Sequence, residues 1–279
     1  MTKALRLLCL GLAVGSVLQA CSTGKSISWT RTLDEAKNNA ATGNRLIITD
    51  MYADWCGWCK KMDAETWSTA QVIQQQGKYV FLKLNAEKDP DGIALRKQFR
   101  ITSFPTVMIL NPDGSEFDRL EGYLPSQKFL RALNEVVSDP DSLGNLKIAE
   151  ARDSRNLELR SRLARTLFEK SYFSESRARF EQIVVQDPDN KSGLKPNALF
   201  YLALCQASQK DWEQALSTID RLRAEYPASE KVGEASLLSG EILMNLGHRE
   251  QARARIQQFL KSYPTHRLAP DARRMLAEL

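Results

Sequence analysis

The chain has 279 residues, of which 43% are hydrophobic and 26% are charged. This composition excludes a wholly disordered chain, a collagen-like chain and a protein that crosses a membrane many times. Lysine and arginine number 39 against 34 acids. An excess this small does not favour nucleic acid as a partner. At roughly 150 residues per domain, the length predicts about two domains.

The first twenty residues have the pattern of an export signal. Lys3 and Arg6 precede the apolar run 7–17, which is too short to span a bilayer comfortably. The sequence LQAC at 18–21 resembles the bacterial lipobox. That resemblance implies a signal peptide at 1–20, lipidation of Cys21 and a flexible tether at 21–28. Ordinary secretion with cleavage near Ala20 is the alternative.

A lipid anchor would place the protein in the bacterial cell envelope, facing the periplasm. By resemblance to lipoprotein sorting, Ser22 after the lipidated cysteine favours the outer membrane. We therefore expect the protein to associate with the membrane through its lipid anchor.

Residues 29–138 alternate between strand and helix patterns. Apolar runs predict strands, and amphipathic segments with suitable first residues predict helices. The expected strands are 46–53, 79–85, 106–110 and 115–120, and the expected helices are 32–41, a helix from about Cys56, 92–99 and 125–137. Asn-Pro-Asp-Gly at 111–114 predicts a tight turn. The order indicates an α/β or α+β domain.

The polar segment 139–154 is interpreted as a linker, and residues 155–279 read as helical throughout. Prolines recur here at spacings of 39 and 37 residues, and small residues precede each proline by twelve and by twenty-four positions. The prolines are Pro188, Pro227 and Pro264, and the small residues are Ser176, Ala215, Ala252, Ala164, Ala203 and Gly240. This pattern resembles tetratricopeptide repeats, with 269–279 as a capping helix. The resemblance implies an all-α solenoid that presents a concave face to a protein partner.

Three cysteines remain after the signal and the lipidation site: Cys56, Cys59 and Cys205. The first two form a Cys-x-x-Cys motif, which is typical of a redox pair in an exported protein. Half of a zinc site is the alternative, but a second cysteine pair is missing and both histidines lie in the repeat half. Cys205, beside apolar neighbours, is interpreted as a buried structural thiol.

The setting of this motif resembles the thioredoxin family over residues 29–138. Asp50 occupies the position of the family's buried acid, and Lys83 lies near it on the next strand. Phe104-Pro105 matches the cis-proline loop, and Gly122 matches a glycine late in the family's sequence pattern. Trp58 replaces the proline of true thioredoxin. The resemblance implies a thioredoxin-like α/β domain, a redox-active disulfide between Cys56 and Cys59, and neither metal nor cofactor.

The expected catalytic roles follow from simple chemistry. Cys56 at a helix N-terminus is the nucleophile, because the helix dipole favours its thiolate. Cys59, one turn deeper, resolves the mixed disulfide. Asp50, with a pKa raised by burial, accepts the proton of Cys59, and Lys83 tempers that shift. A simple strand-end acid and a surface lysine are the alternatives for these last two residues.

The residues around the cysteines are expected to contact a client polypeptide. They are Trp55, Gly57, Trp58, Phe104 and Pro105, with the bond before Pro105 in the cis form. Core packing is the alternative for the two tryptophans, and it is favoured more for Trp55.

The sequence thus predicts an envelope thiol-disulfide oxidoreductase that reduces or isomerises disulfide-containing exported proteins. It would draw electrons from a membrane thiol reductant, and its repeats would recruit a protein partner. A non-catalytic envelope scaffold or chaperone, which uses the same two domains for binding, is the alternative.

Overall fold

A computed structural model of the protein describes residues 26–279. The predicted signal peptide, Cys21 and most of the predicted tether lie outside the described residues. The chain divides into two compact units. The first runs to Ser115 and includes Arg119–Leu130, and the second comprises Glu116–Asp118 and Arg131–Leu279.

The first unit is built on a four-stranded sheet with the order β2-β1-β3-β4. Its strands are β1 (Ile47–Tyr52), β2 (Val80–Asn85), β3 (Thr106–Leu110) and β4 (Glu116–Glu121), of which β4 runs across the division between the units. Its helices are α1 (Leu33–Ala41), α2 (Gly57–Met62), α3 (Ala70–Ile73) and α4 (Pro90–Gln98), and α5 (Ser126–Ser138) follows the sheet. A π-helical turn, Asp63–Trp67, directly extends α2. These bounds confirm the predicted strands and helices to within about two residues.

Strand β1 lies in the middle of the sheet, parallel to β2 and antiparallel to β3. Because successive side chains of a strand point to opposite faces, Ile47 and Met51 share one face, and Ile48 and Asp50 share the other. On the first face, Ile47 and Met51 pack in a cluster with Leu82, Leu84 and other buried apolar side chains. On the second face the core is aromatic: Trp67 contacts Phe81 and Phe129 edge to face, at centroid distances of 6.3 and 4.9 Å.

The segment before α1 is more ordered than the predicted tether implies. Ile27 is buried, the Ser28 N–H donates to Gln76 Oε1 at 2.6 Å, and Thr30 forms a parallel bridge with Leu82 on the edge of β2. The prediction of a tether through residue 28 is therefore wrong for residues 26–28. The apolar Ile27 and Trp29 were the signal for this packing.

The second unit is helical and repetitive. Its helices are α6 (Leu143–Arg152), α7 (Leu157–Glu169), α8 (Phe173–Gln186), α9 (Lys195–Ser208), α10 (Trp212–Glu225), α11 (Lys231–Asn245), α12 (Arg249–Ser262) and α13 (Ala269–Glu278). Each helix from α6 to α13 contacts the helix that follows it in the chain, as the helices of stacked repeats do. Among residues 26–279, no helix combines the length and the hydrophobicity needed to cross a membrane.

Helix α6 corrects the interpretation of 139–154 as a linker. Leu143 and Leu146 are fully buried, one helical turn apart, and pack with Leu163 and Leu167 of α7. The polar, turn-rich residues at 139–142 concealed this short apolar pattern. The domain limits at 138 and 155 stay a prediction.

The small residues that mark the repeat lie buried where helices approach one another. Ala164, Ala203, Ala215 and Ala252 are completely buried, and the hydroxyl of the equally buried Ser176 donates to the Ala164 carbonyl at 2.8 Å. At Gly240 a Cβ atom would lie only 2.6 Å from Ile256 Cγ1. The repeat pattern is thus a packing requirement between the two helices of a pair.

Gly240→Ala is expected to destabilise the repeat unit by about 1–3 kcal/mol, because the added methyl group overpacks against a buried isoleucine. Gly233→Ala in the same helix is the matched control, since its Cβ would meet side-chain atoms at an ordinary 3.6 Å. There the helical preference of alanine should raise stability by about 0.5–1 kcal/mol. Thermal unfolding of the full chain measures both; equal shifts for the two variants would contradict the close approach.

Candidate active site

Cys56 and Cys59 form a disulfide at the point where β1 gives way to α2, with their Cα atoms 5.3 Å apart. Cys56 is the N-cap residue of α2, and its Sγ accepts a hydrogen bond from the Cys59 N–H at 3.0 Å. A donor aimed at this sulfur, together with the positive end of the helix, favours the Cys56 thiolate once the disulfide is reduced.

The expected difference in depth between the two cysteines is absent. Cys56 and Cys59 are 3% and 4% exposed, so both are buried in the disulfide form. The prediction that Cys59 lies deeper than Cys56 is therefore wrong for this state. What distinguishes the two sulfurs is the backbone N–H that Cys56 Sγ receives, because only the N-cap position faces the first turn of the helix.

Asp50 lies on β1 directly opposite Lys83 of β2 in the parallel register. The residue is 1% exposed, and its Oδ2 is 3.0 Å from Lys83 Nζ. Desolvation by burial raises the pKa of Asp50 from 3.8 to about 6, while the nearby Lys83 ammonium acts in the opposite direction. The expected direction of this shift is confirmed, and Lys83 is a partner of the buried acid rather than a surface lysine.

Asp63 joins this pair and was not anticipated from the sequence. Its carboxylate contacts Lys83 Nζ from the turn that follows α2, and it is about half exposed. Its negative charge raises the pKa of Asp50. Asp63 lies four residues after Cys59, on the same helical face, which is the one local signal that pointed to it.

Lys83 is also enclosed by aromatic rings. Its Nζ lies 5.4 Å from the ring centre of Trp29 and 5.0 Å from that of Tyr52. Burial alone would lower the pKa of Lys83, but Asp50 and Asp63 outweigh that effect and raise it. The lysine therefore stays charged beside Asp50 and Asp63.

Two buried polar atoms beside this cluster have no hydrogen-bond partner among the described residues: Asp50 Oδ1 and Trp67 Nε1. The indole of Trp67 nevertheless acts to lower the pKa of Asp50 slightly. Because one carboxylate oxygen is held by Lys83 and the other is unpartnered, Asp50 has the capacity to accept a proton at Oδ1.

The loop before β3 lies next to the cysteines. The Phe104–Pro105 bond is cis, which confirms the prediction, and Phe104 packs against the buried Cys56 and Cys59. The Gly122 N–H donates to the Pro105 carbonyl at 2.9 Å, and Gly122 has a φ of +82°, which favours glycine at this position. Phe104 thus lies against the redox pair, and Gly122 is held to the adjacent Pro105.

Trp55 is 69% exposed, which excludes core packing, the alternative considered for it. Its indole N–H donates to Glu87 Oε2 at 2.9 Å, and its ring contacts Phe104 at a centroid distance of 6.0 Å. Glu87 and the Phe104 ring hold the indole outside the core. No local sequence signal identified Glu87.

Trp58 is 58% exposed and stacks on Tyr123 at a centroid distance of 5.5 Å. Lys61 Nζ lies close to both rings, and the Tyr123 hydroxyl bonds to Glu65. Gly57, between the cysteines, has open space around its Cα. The exposed Trp55 and Trp58, each held by a neighbouring side chain, therefore adjoin a disulfide that is itself buried.

Cys205 is completely buried in the repeat unit, and its Sγ lies 3.4 Å from Ser176 Oγ. Desolvation raises the pKa of its thiol to about 11, so it is protonated and unreactive near neutral pH. Within residues 26–279 there is no group of three or more His, Cys, Asp or Glu side chains placed to hold a metal ion.

Comparison with known families agrees with the two units. Residues 33–137 match the thioredoxin-like domain family, and residues 197–229 and 234–266 match the tetratricopeptide repeat family. The chain therefore contains a thioredoxin-like α/β domain followed by helical tetratricopeptide repeats.

The thiol:disulfide interchange protein DsbD of Haemophilus ducreyi is 32% identical over 105 residues, which cover 37% of this chain and 18% of that protein. DsbD of Vibrio cholerae is 29% identical over 125 residues, or 42% of this chain and 21% of that protein. The chain thus spans about a fifth of the length of these curated relatives. The solved structure of the oxidised C-terminal domain of Neisseria meningitidis DsbD aligns with 37% of this chain over 90% of its own length, with 26% identity and a TM-score of 0.32.

Asp50→Asn is expected to change how stability depends on pH. The folded-state pKa of about 6 lies above the ordinary 3.8, so the folded protein binds the proton more tightly than the unfolded chain. The contribution of Asp50 is then fully present below pH 4 and is lost as the pH rises through 6. Relative to the parent, the asparagine variant should gain stability between pH 4 and 8, by about 3 kcal/mol at most.

Urea unfolding of the oxidised protein across this pH range measures the difference, and Asp54→Asn is the control. Asp54 is exposed, and the hydrogen bond that it accepts from Lys88 lowers its pKa below 3.8. Its titration is therefore complete near pH 4, and the stability difference for that variant should be almost flat above pH 5. A flat difference for Asp50→Asn would show that Asp50 titrates as it does in the unfolded chain.

Proposed function

We propose that this protein is a thiol-disulfide oxidoreductase of the bacterial cell envelope. The observation that carries the proposal is the arrangement of the Cys56–Cys59 pair, in which Cys56 caps a helix and its Sγ accepts a hydrogen bond from the Cys59 N–H. The buried Asp50–Lys83 pair lies in the same domain. The DsbD relatives are thiol:disulfide interchange proteins, and this similarity supports the same chemistry.

In the reductive direction, the Cys56 thiolate attacks one sulfur of a client disulfide and the other client sulfur leaves as a thiolate. Cys59 then loses its proton to Asp50 and attacks Cys56 Sγ. The client leaves with two thiols, and the Cys56–Cys59 disulfide is restored. Two electrons have moved from the protein to the client, and a dithiol donor must return them; we assign that role to a membrane thiol reductant.

The clients are disulfide-containing exported proteins, which enter against Trp55, Gly57, Trp58, Phe104 and Pro105. Lipidation at Cys21 would hold the protein in the envelope, at the outer membrane and facing the periplasm. The tetratricopeptide repeats recruit a protein partner to the redox domain, because stacked repeats present an extended binding surface. A binding scaffold or chaperone without catalysis is the competing function, and the exposed Trp55 and Trp58 are the observation in its favour.

Turnover of insulin disulfides with dithiothreitol as the electron source separates the two functions. The parent should accelerate reduction, and Cys56→Ser should abolish the acceleration because no nucleophile remains. Cys59→Ser should instead accumulate mixed disulfides with the substrate. Cys205→Ser is the matched control and should leave the rate unchanged, since that thiol is buried away from the pair. A parent as slow as Cys56→Ser would leave only the scaffold.

Asp50→Asn should slow resolution of the mixed disulfide by about 10²-fold if Asp50 is the general base, and should affect the first attack much less. Stopped-flow measurement of both steps between pH 6 and 9 makes the comparison. Equal resolving rates in variant and parent would remove Asp50 from the mechanism and leave water as the proton acceptor.

A further inference from the structure

An open groove lies beside the redox pair, between α4 and the loop that leads into Pro105. It has a volume of about 570 Å³, and its lining includes Glu87, Ile93, Arg96, Lys97, Arg100 and Thr102. A volume of this size accommodates several side chains of a bound ligand. All of its lining residues belong to the thioredoxin-like unit.

The groove is continuous with the candidate active site. Glu87 accepts the Trp55 indole N–H at 2.9 Å and pairs with Arg96 at 3.3 Å. The Arg96 guanidinium in turn lies over the Phe104 ring, 5.3 Å from its centre. Thr102 is two residues from Phe104, so a polypeptide bound at the Phe104–Pro105 loop would pass directly into the groove.

The lining combines positive charge with an exposed apolar side chain. Among the described residues that line the groove, Arg96, Lys97 and Arg100 are cationic and Glu87 is acidic. Ile93 is 49% exposed, although isoleucine is among the residues most often buried. A ligand that complements this surface carries carboxylates and an apolar side chain, because a cationic rim attracts acidic segments and repels basic ones.

We infer that this groove is a docking site for an acidic, extended segment of the client that adjoins its disulfide. The inference rests on the proposed function and adds a substrate class to it. The groove would bind the acidic segment before the thiolate attacks, and so would hold the client disulfide near Cys56. It would lower the client concentration needed for half-maximal rate and leave the chemical step at Cys56 unchanged.

Two synthetic peptides test the inference. They have the same length and the same apolar residues, and each carries one cysteine in a disulfide with a coloured aromatic thiol; one has three aspartates beside that cysteine and the other has three lysines. The attack rate of the reduced full chain is measured for both at low and high salt. The acidic peptide should react about 10-fold faster at low salt, and the preference should shrink as salt screens the charges.

Lys97→Glu should remove or reverse that preference, because Lys97 is an exposed cation of the groove. The matched control is Lys78→Glu, which makes the same change in net charge. Lys78 is exposed and precedes β2, whereas Ala86 and Glu87 follow the other end of that strand, about 20 Å away at 3.3 Å per residue. The control should keep the preference of the parent.

Equal rates for the two peptides, or equal effects of Lys97→Glu and Lys78→Glu, would overturn the inference while the protein still reduces disulfides. A reduced protein that reacts with neither peptide would overturn the proposed function instead. The two failures are thus distinguishable in one experiment.

Discussion

The thioredoxin-like unit is constrained by one buried ion pair between neighbouring strands. Asp50 on the central strand and Lys83 on β2 are register partners, and their charged atoms are 3.0 Å apart. Because side chains alternate between faces, a slip of one residue between β1 and β2 would place Lys83 on the opposite face. Asp50 would then be a charge buried without a partner, which costs several kcal/mol. The register of β1 and β2 is therefore linked to the pairing of the buried Asp50.

The sequence allowed the sheet and the cysteine pair to be predicted because their signals are local. Strands such as β3 are uninterrupted apolar runs, and Cys56 follows β1 within four residues. Helix α6 escaped prediction because its two buried leucines, Leu143 and Leu146, directly follow a polar turn. In the repeats, small residues at fixed spacing predicted close helix contacts, and the space around Gly240 supplies the physical reason.

The surroundings of the disulfide could not be predicted in the same way. Trp55 is held outside by Glu87, which lies 32 residues along the chain, and Trp58 is held by Tyr123. Hydrophobicity alone assigns a tryptophan to the core, whereas a partner that fixes the ring at the surface comes from another part of the fold. The near-equal burial of Cys56 and Cys59 has the same origin, because Phe104 from a distant segment packs against the cluster that contains both cysteines.

The contacts of the Asp50–Lys83 pair suggest a role in proton uptake more than in stability. A buried ion pair contributes little net stability, since desolvation offsets most of the attraction, and apolar residues of similar size would serve the core as well. Here Lys83 is shared between two carboxylates, because it also contacts the half-exposed Asp63. When Asp50 takes up a proton and becomes neutral, Asp63 still provides a partner for the lysine. The neutral state of Asp50 is thereby stabilised relative to an isolated pair, which agrees with the direction in which Asp63 shifts its pKa. An acid whose two protonation states both leave Lys83 paired suits reversible proton uptake better than it suits holding the sheet together.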